Sequence, residues 1–174
     1  VPQANNQPHA YLENIMSKLN KTILAVCAGL CLSLSALAAD TTDFSGTWEL
    51  NTDKGQNLGM VKAVDEMDVI TQSAEKLVID ITSKFMLKTT QRQVSYDLSG
   101  KPVPNEGAMG DKAQTVAKWA DGKLVVTWTS EGAVAGSTTV KTETRWLSAD
   151  GKEMSVESAR ANKPAMILVY DKKK

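Results

Sequence analysis

Ala120-Asp121-Gly122-Lys123-Leu124-Val125-Val126-Thr127-Trp128-Thr129-Ser130 reads as a tight turn feeding a β-strand. Asp-Gly between apolar runs supplies two residues that tolerate positive φ, which a two-residue hairpin turn requires. After the turn, Leu124, Val126 and Trp128 fall on one face and Val125, Thr127 and Thr129 on the other, the period of two imposed by the pleat. Similar turn signals stand at Leu98-Ser99-Gly100-Lys101 and Ala149-Asp150-Gly151-Lys152. Their glycines lie 22 and 29 residues apart, room for a pair of strands each time, so the chain meanders.

Working outward, alternation predicts further strands at Leu77 to Ser83 (Leu77, Ile79 and Ile81 inward) and Gln91 to Leu98 (Val94, Tyr96 and Leu98). Lys112 to Trp119 puts Ala113, Thr115, Ala117 and Trp119 together, and Lys152 to Ser158 puts Met154 and Val156 inward. In Thr138 to Leu147, Val140, Thr142, Thr144 and Trp146 are assigned to the interior, leaving Thr139, Lys141, Glu143 and Arg145 wet. Gly46 to Asn51 and Ala165 to Tyr170 complete eight strands, with a ninth near Val69 to Thr71. No long helix is indicated. An antiparallel sheet of this size must bury one face and manage its edges. The even turns and lack of a long crossover favour an all-β, antiparallel up-and-down barrel over a two-sheet sandwich.

Upstream, Met16 to Ala38 has the layout of a secretory signal peptide: Lys18 and Lys21, an apolar run from Ile23 to Leu34, and the small-residue site Ala36-Leu37-Ala38. Residues 1–15 read as an extension preceding the initiator Met16, and cleavage is expected before Ala39 or Asp40. The apolar run is short for a bilayer crossing, which needs about 20 residues, so no stable membrane anchor is expected. A periplasmic or secreted location follows. The expected mature domain is 39–174, a length that suits one domain.

Cys27, Cys31 and His9 all lie before residue 39. The expected domain therefore has no disulfide, no imidazole or thiolate catalyst and no His/Cys zinc site. Its 18 basic and 19 acidic residues nearly cancel, giving no electrostatic case for nucleic acid. Asp65-Glu66-Met67-Asp68 lacks the spacing of a calcium loop and reads as a solvated acidic turn. Scattered methionines read as gap fillers rather than soft-metal ligands. No metal, cofactor or catalytic residue is predicted. Lys101 to Gly110, with two prolines and two glycines, reads as a long flexible connection.

Asp43-Phe44-Ser45-Gly46-Thr47-Trp48-Glu49-Leu50-Asn51 resembles the first strand of lipocalin-like (calycin) proteins, through Gly46-Thr47-Trp48, and the start of the related fatty-acid-binding proteins. It is more closely similar to small exported bacterial proteins that begin Phe-Ser-Gly-Thr-Trp, with Lys118-Trp119-Ala120-Asp121-Gly122-Lys123-Leu124 and Val169-Tyr170-Asp171-Lys172 as later signatures. The resemblance implies a barrel whose closed end is plugged by Trp48 under an arginine, with Arg145 and Arg160 both open for that role. It also implies a small ligand. The carboxylate clamp of fatty-acid-binding proteins, Arg-x-Tyr, is departed from here: the region reads Ile167-Leu168-Val169-Tyr170, without the arginine.

The assigned inward faces are rich in Thr and Ala, which leaves room for a ligand. Trp128 and Trp146 are the expected apolar walls, and Tyr96, Thr142 and Thr144 the expected hydroxyls. The expected function is non-catalytic enclosure of a small apolar or amphipathic molecule. The competing reading is a cell-envelope structural or interaction protein with a filled β core; oligomeric state is left open.

Overall fold

The computed structural model describes residues 41–174. The predicted extension and signal peptide, 1–15 and 16–38, lie outside the described residues. Ten antiparallel strands form one sheet: β1 (Gly46–Leu50), β2 (Val64–Gln72), β3 (Lys76–Phe85), β4 (Lys88–Asp97), β5 (Val103–Glu106), β6 (Lys112–Ala120), β7 (Lys123–Glu131), β8 (Thr138–Leu147), β9 (Glu153–Arg160) and β10 (Met166–Lys172). The order β4-β3-β2-β1-β10-β9-β8-β7-β6-β5 is a meander whose first and last strands pair, so the sheet rolls up with a seam between β4 and β5. The barrel expectation holds and the strand count rises to ten. β5 occupies the segment read as a flexible connection, and β2 is a full nine-residue strand rather than a fragment near Val69 to Thr71.

The turn chemistry explains the hairpin between β6 and β7, where Asp121 and Gly122 both take positive φ, 50° and 72°. Asp150-Gly151 closes a longer loop, from Ser148 to Lys152, and Ser99-Gly100 starts the approach to β5. The connection from β1 to β2 contains a single 3-10 turn, Gly59–Ala63, and the described residues include no α-helix.

One part of the interior is a packed apolar plug. Trp48 is fully buried, and its Nε1–H donates to the Phe44 carbonyl at 2.8 Å. Phe44 in turn stacks on Trp119, with ring centroids 6.0 Å apart. Leu77, Ile79, Leu124 and Met154 fill the space around them. Neither arginine suggested by the resemblance stands over Trp48 among the described residues; the cation there is Lys172, its Nζ 5.0 Å from the ring centroid.

Candidate functional site: a polar well inside the barrel

Two strands carry their polarity the wrong way round. In β8, register sets Lys141, Glu143 and Arg145 opposite Trp128, Val126 and Leu124, all three of which are buried in the core. Residues directly paired across strands share a face, so the charged residues line the interior. Thr142, Thr144 and Trp146 face outward, and Lys123 Nζ lies over the Trp146 ring at 4.6 Å. This corrects the assignment of Thr142, Thr144 and Trp146 to the inner wall. The physical reason is that alternation identifies two faces without saying which is inside, and a reversal moves every side chain.

β2 repeats the inversion. Glu66, Asp68 and Ile70 face inward, while Met67 and Val69 are left exposed. Asp65 to Asp68 is therefore strand, not a solvated turn, and two of its three carboxyl groups are internal. β2 and β8 stand four places apart in a ring of ten, so they look at one another across the interior.

The two inverted strands bring together a polar cluster. Ser83 Oγ donates to Glu66 Oε2 at 2.6 Å, and the buried Tyr170 hydroxyl donates to Glu66 Oε1 at 2.8 Å. Asp68 is 2% exposed, and its Oδ1 has no hydrogen-bond partner among the described residues. Burial, reinforced by the charge of Glu66, raises its pKa to about 7, although Arg145 and Arg92 pull the other way. Burial likewise raises the Tyr170 hydroxyl, helped by the charges of Asp68 and Glu66, and the Tyr96 hydroxyl, helped by Glu143. Glu66, Arg92, Glu143 and Arg145 thus all act on the buried Asp68 carboxyl.

Arg145 is 6% exposed, and its Nη1 donates to the thioether of Met154 at 3.2 Å. That is a weak acceptor for a guanidinium with five donors. Lys141 pairs with Glu143 at 2.7 Å and lies 4.2 Å from the Trp128 ring centroid. Trp128 also meets Tyr96 edge to face at 6.1 Å, and its buried Nε1 has no hydrogen-bond partner among the described residues. Of the predicted wall, Trp128 and Tyr96 are brought together inside. Glu66, Asp68, Arg145 and Tyr170 were missed as site residues. The available signal was the apolar residues Met67 and Val69 in β2 and Val140 in β8, each alternating with internal charge.

The well is open to water from one side, since the side chains of Lys141 and Glu143 retain 19% and 17% exposure although they point inward. Loops at that end of the strands carry exposed Met60, Met86, Leu87, Met109 and Val134. A concavity of about 590 Å³ lies along the seam between β4 and β5 and includes Gln93, Ser95, Asn105, Lys112 and Glu131. The described residues include no group of three or more acidic, His or Cys side chains suited to a metal ion.

No family model and no curated protein matches the chain. Solved structures do. The wild-type fluorescent protein UnaG matches with a TM-score of 0.59 and 17% identity, over 75% of this chain and 97% of that one. Lipid binding protein 8 of Caenorhabditis elegans matches with 0.58 and 11%, over 75% and 95%. Fatty-acid-binding protein 1 of Echinococcus granulosus matches with 0.55 and 18%, over 75% and 98%. At such identities the likeness is one of fold: this chain, like those, forms an antiparallel, nearly closed β-barrel, here of ten strands.

Proposed function

We propose that the protein is an exported, non-catalytic carrier that encloses a small amphipathic molecule in the barrel interior. The observation that carries this reading is a pair of buried polar groups with no hydrogen-bond partner among the described residues, Asp68 Oδ1 and the Trp128 indole N–H. A core built only for stability avoids such groups, because each buried polar atom without a partner costs about 1–3 kcal/mol. A ligand supplying the missing partners would recover that cost. The apolar loop tips give a hydrocarbon part a route in. The names of two of the structures resembled, a lipid binding protein and a fatty-acid-binding protein, agree with this ligand class. Export rests on the pattern of residues 16–38, which N-terminal sequencing of the secreted chain would test against a start at Ala39 or Asp40.

Native mass spectrometry on protein purified without detergent tests the carrier reading. A native mass exceeding the denatured mass by one reproducible ligand supports it. A native mass equal to that of the bare chain moves the envelope interaction protein forward. The exposed outer pair Met67 and Val69 on β2 is the observation that favours that second reading.

A further inference from the structure

The polar groups left unmatched in the well are of both kinds. Asp68 Oδ1 is an acceptor lacking a donor, and Trp128 Nε1–H is a donor lacking an acceptor. Arg145 adds further N–H donors, with a thioether as its recorded partner. Glu66 is engaged by Ser83 and Tyr170, and Lys141 by Glu143. Where the fatty-acid-binding clamp would place its arginine, Leu168 faces the interior, two residues before Tyr170 and opposite the buried Val156.

We infer that the ligand's head is uncharged and both donates and accepts hydrogen bonds, as the N–H and C=O of a primary amide or lactam do. This inference rests on the carrier reading above. An N–H of such a head meets Asp68, and its carbonyl meets Arg145 or the Trp128 indole. A carboxylate head accepts but cannot donate, and it is brought beside Asp68, Glu66 and Glu143. An ammonium head donates but cannot accept, and it is brought beside Arg145, Arg92 and Lys141. The mixed signs on opposite walls thus select against net charge of either sign. Discrimination of this kind works by leaving the wrong partner's buried groups unpaired or opposed by like charge.

Calorimetric titration of the exported protein at pH 8 with decanamide, decanoate and decylamine tests this with the hydrocarbon part held constant. Decanamide is expected to bind at least tenfold more tightly than either charged analogue. In Asp68→Asn, checked for folding by circular dichroism, decanoate is expected to gain at least tenfold while decanamide changes severalfold at most. Tightest binding by decanoate or decylamine, or an Asp68→Asn variant with the wild-type order and spacing of affinities, overturns the inference and leaves the carrier reading standing. Binding of none of the three overturns both.

Discussion

The side chain of Asn105 pairs with Ser95 as a backbone residue would, its Oδ1 accepting the Ser95 N–H at 2.9 Å and its Nδ2 donating to the Ser95 carbonyl at 2.8 Å. The two residues belong to β5 and β4, the only edges of the ten-strand sheet, and no backbone ladder joins those strands. β5 has four residues, one of them Pro104, which has no N–H to offer. One amide therefore substitutes for a ladder across the seam, and Thr115 holds it in place by accepting from Nδ2 at 2.7 Å.

Asn105→Ala is expected to lower stability by about 1–3 kcal/mol, because the edge groups of Ser95 lose their partner. Amide hydrogen exchange at Ser95 should accelerate more than at Val94 or at the β6–β7 hairpin. Unchanged exchange at Ser95 would show that the seam does not depend on Asn105.

Asp68 sets a pH dependence of stability. Its folded pKa of about 7 lies above the ordinary carboxyl value, so between about pH 4 and pH 7 the folded chain keeps a proton that the unfolded chain has released. Stability contributed by the protonated form is complete below about pH 4, declines as pH rises, and is gone above about pH 7. The loss is on the order of 4 kcal/mol from a group so deeply buried. Urea titrations at pH 5 and pH 8 should show Asp68→Asn to be more stable than wild type at pH 8, with most of the pH slope removed. An undiminished slope in the variant would assign the dependence elsewhere.

Gly46 has a φ of 133°, where L side chains are rarely found, and a Cβ there would lie 2.9 Å from Lys172 Cε. Gly46→Ala should cost roughly 1–3 kcal/mol from backbone strain. Trp48→Ala, which empties the centre of the plug, should cost about 3–5 kcal/mol. Thermal unfolding with the ligand absent measures both, and a smaller loss for Trp48→Ala than for Gly46→Ala would contradict the plug's role.

Thr142 and Thr144 lie on the outer face of β8, and Arg145 lies within. Thr142→Val and Thr144→Val should leave ligand affinity within about twofold of wild type, whereas Arg145→Met, similar in length and without donors, should weaken it at least tenfold. A loss confined to the threonine variants would mean that β8 is turned the other way.

Much of the fold was legible because turns and alternation are local. Asp121-Gly122 specified its hairpin, and Leu77, Ile79 and Ile81 identified a core face unaided. The plug was legible from Gly46-Thr47-Trp48, through resemblance rather than physics. β5 was hidden by Pro102, Pro104 and the flanking glycines, which mark loops in most settings but also suit a short edge strand. The site was hidden for a different reason. Hydrophobic patterning presumes an apolar interior, and β2 and β8 place Glu66, Asp68, Glu143 and Arg145 there at the expense of Met67, Val69 and Val140 outside. Sequence rules of this kind fail wherever a strand turns its charged face inward.

The four tryptophans provide the most direct test, since each contributes one indole N–H resonance and they occupy different surroundings. Trp48 and Trp119 belong to the plug, Trp146 lies outside, and Trp128 offers its unpartnered Nε1–H to the well. Titration with decanamide followed by two-dimensional NMR should move the Trp128 indole resonance downfield as it gains an acceptor, with Trp48 and Trp146 nearly still. A Trp146 shift with Trp128 unmoved, or four unmoved resonances at saturating decanamide, would contradict a ligand site in the polar well.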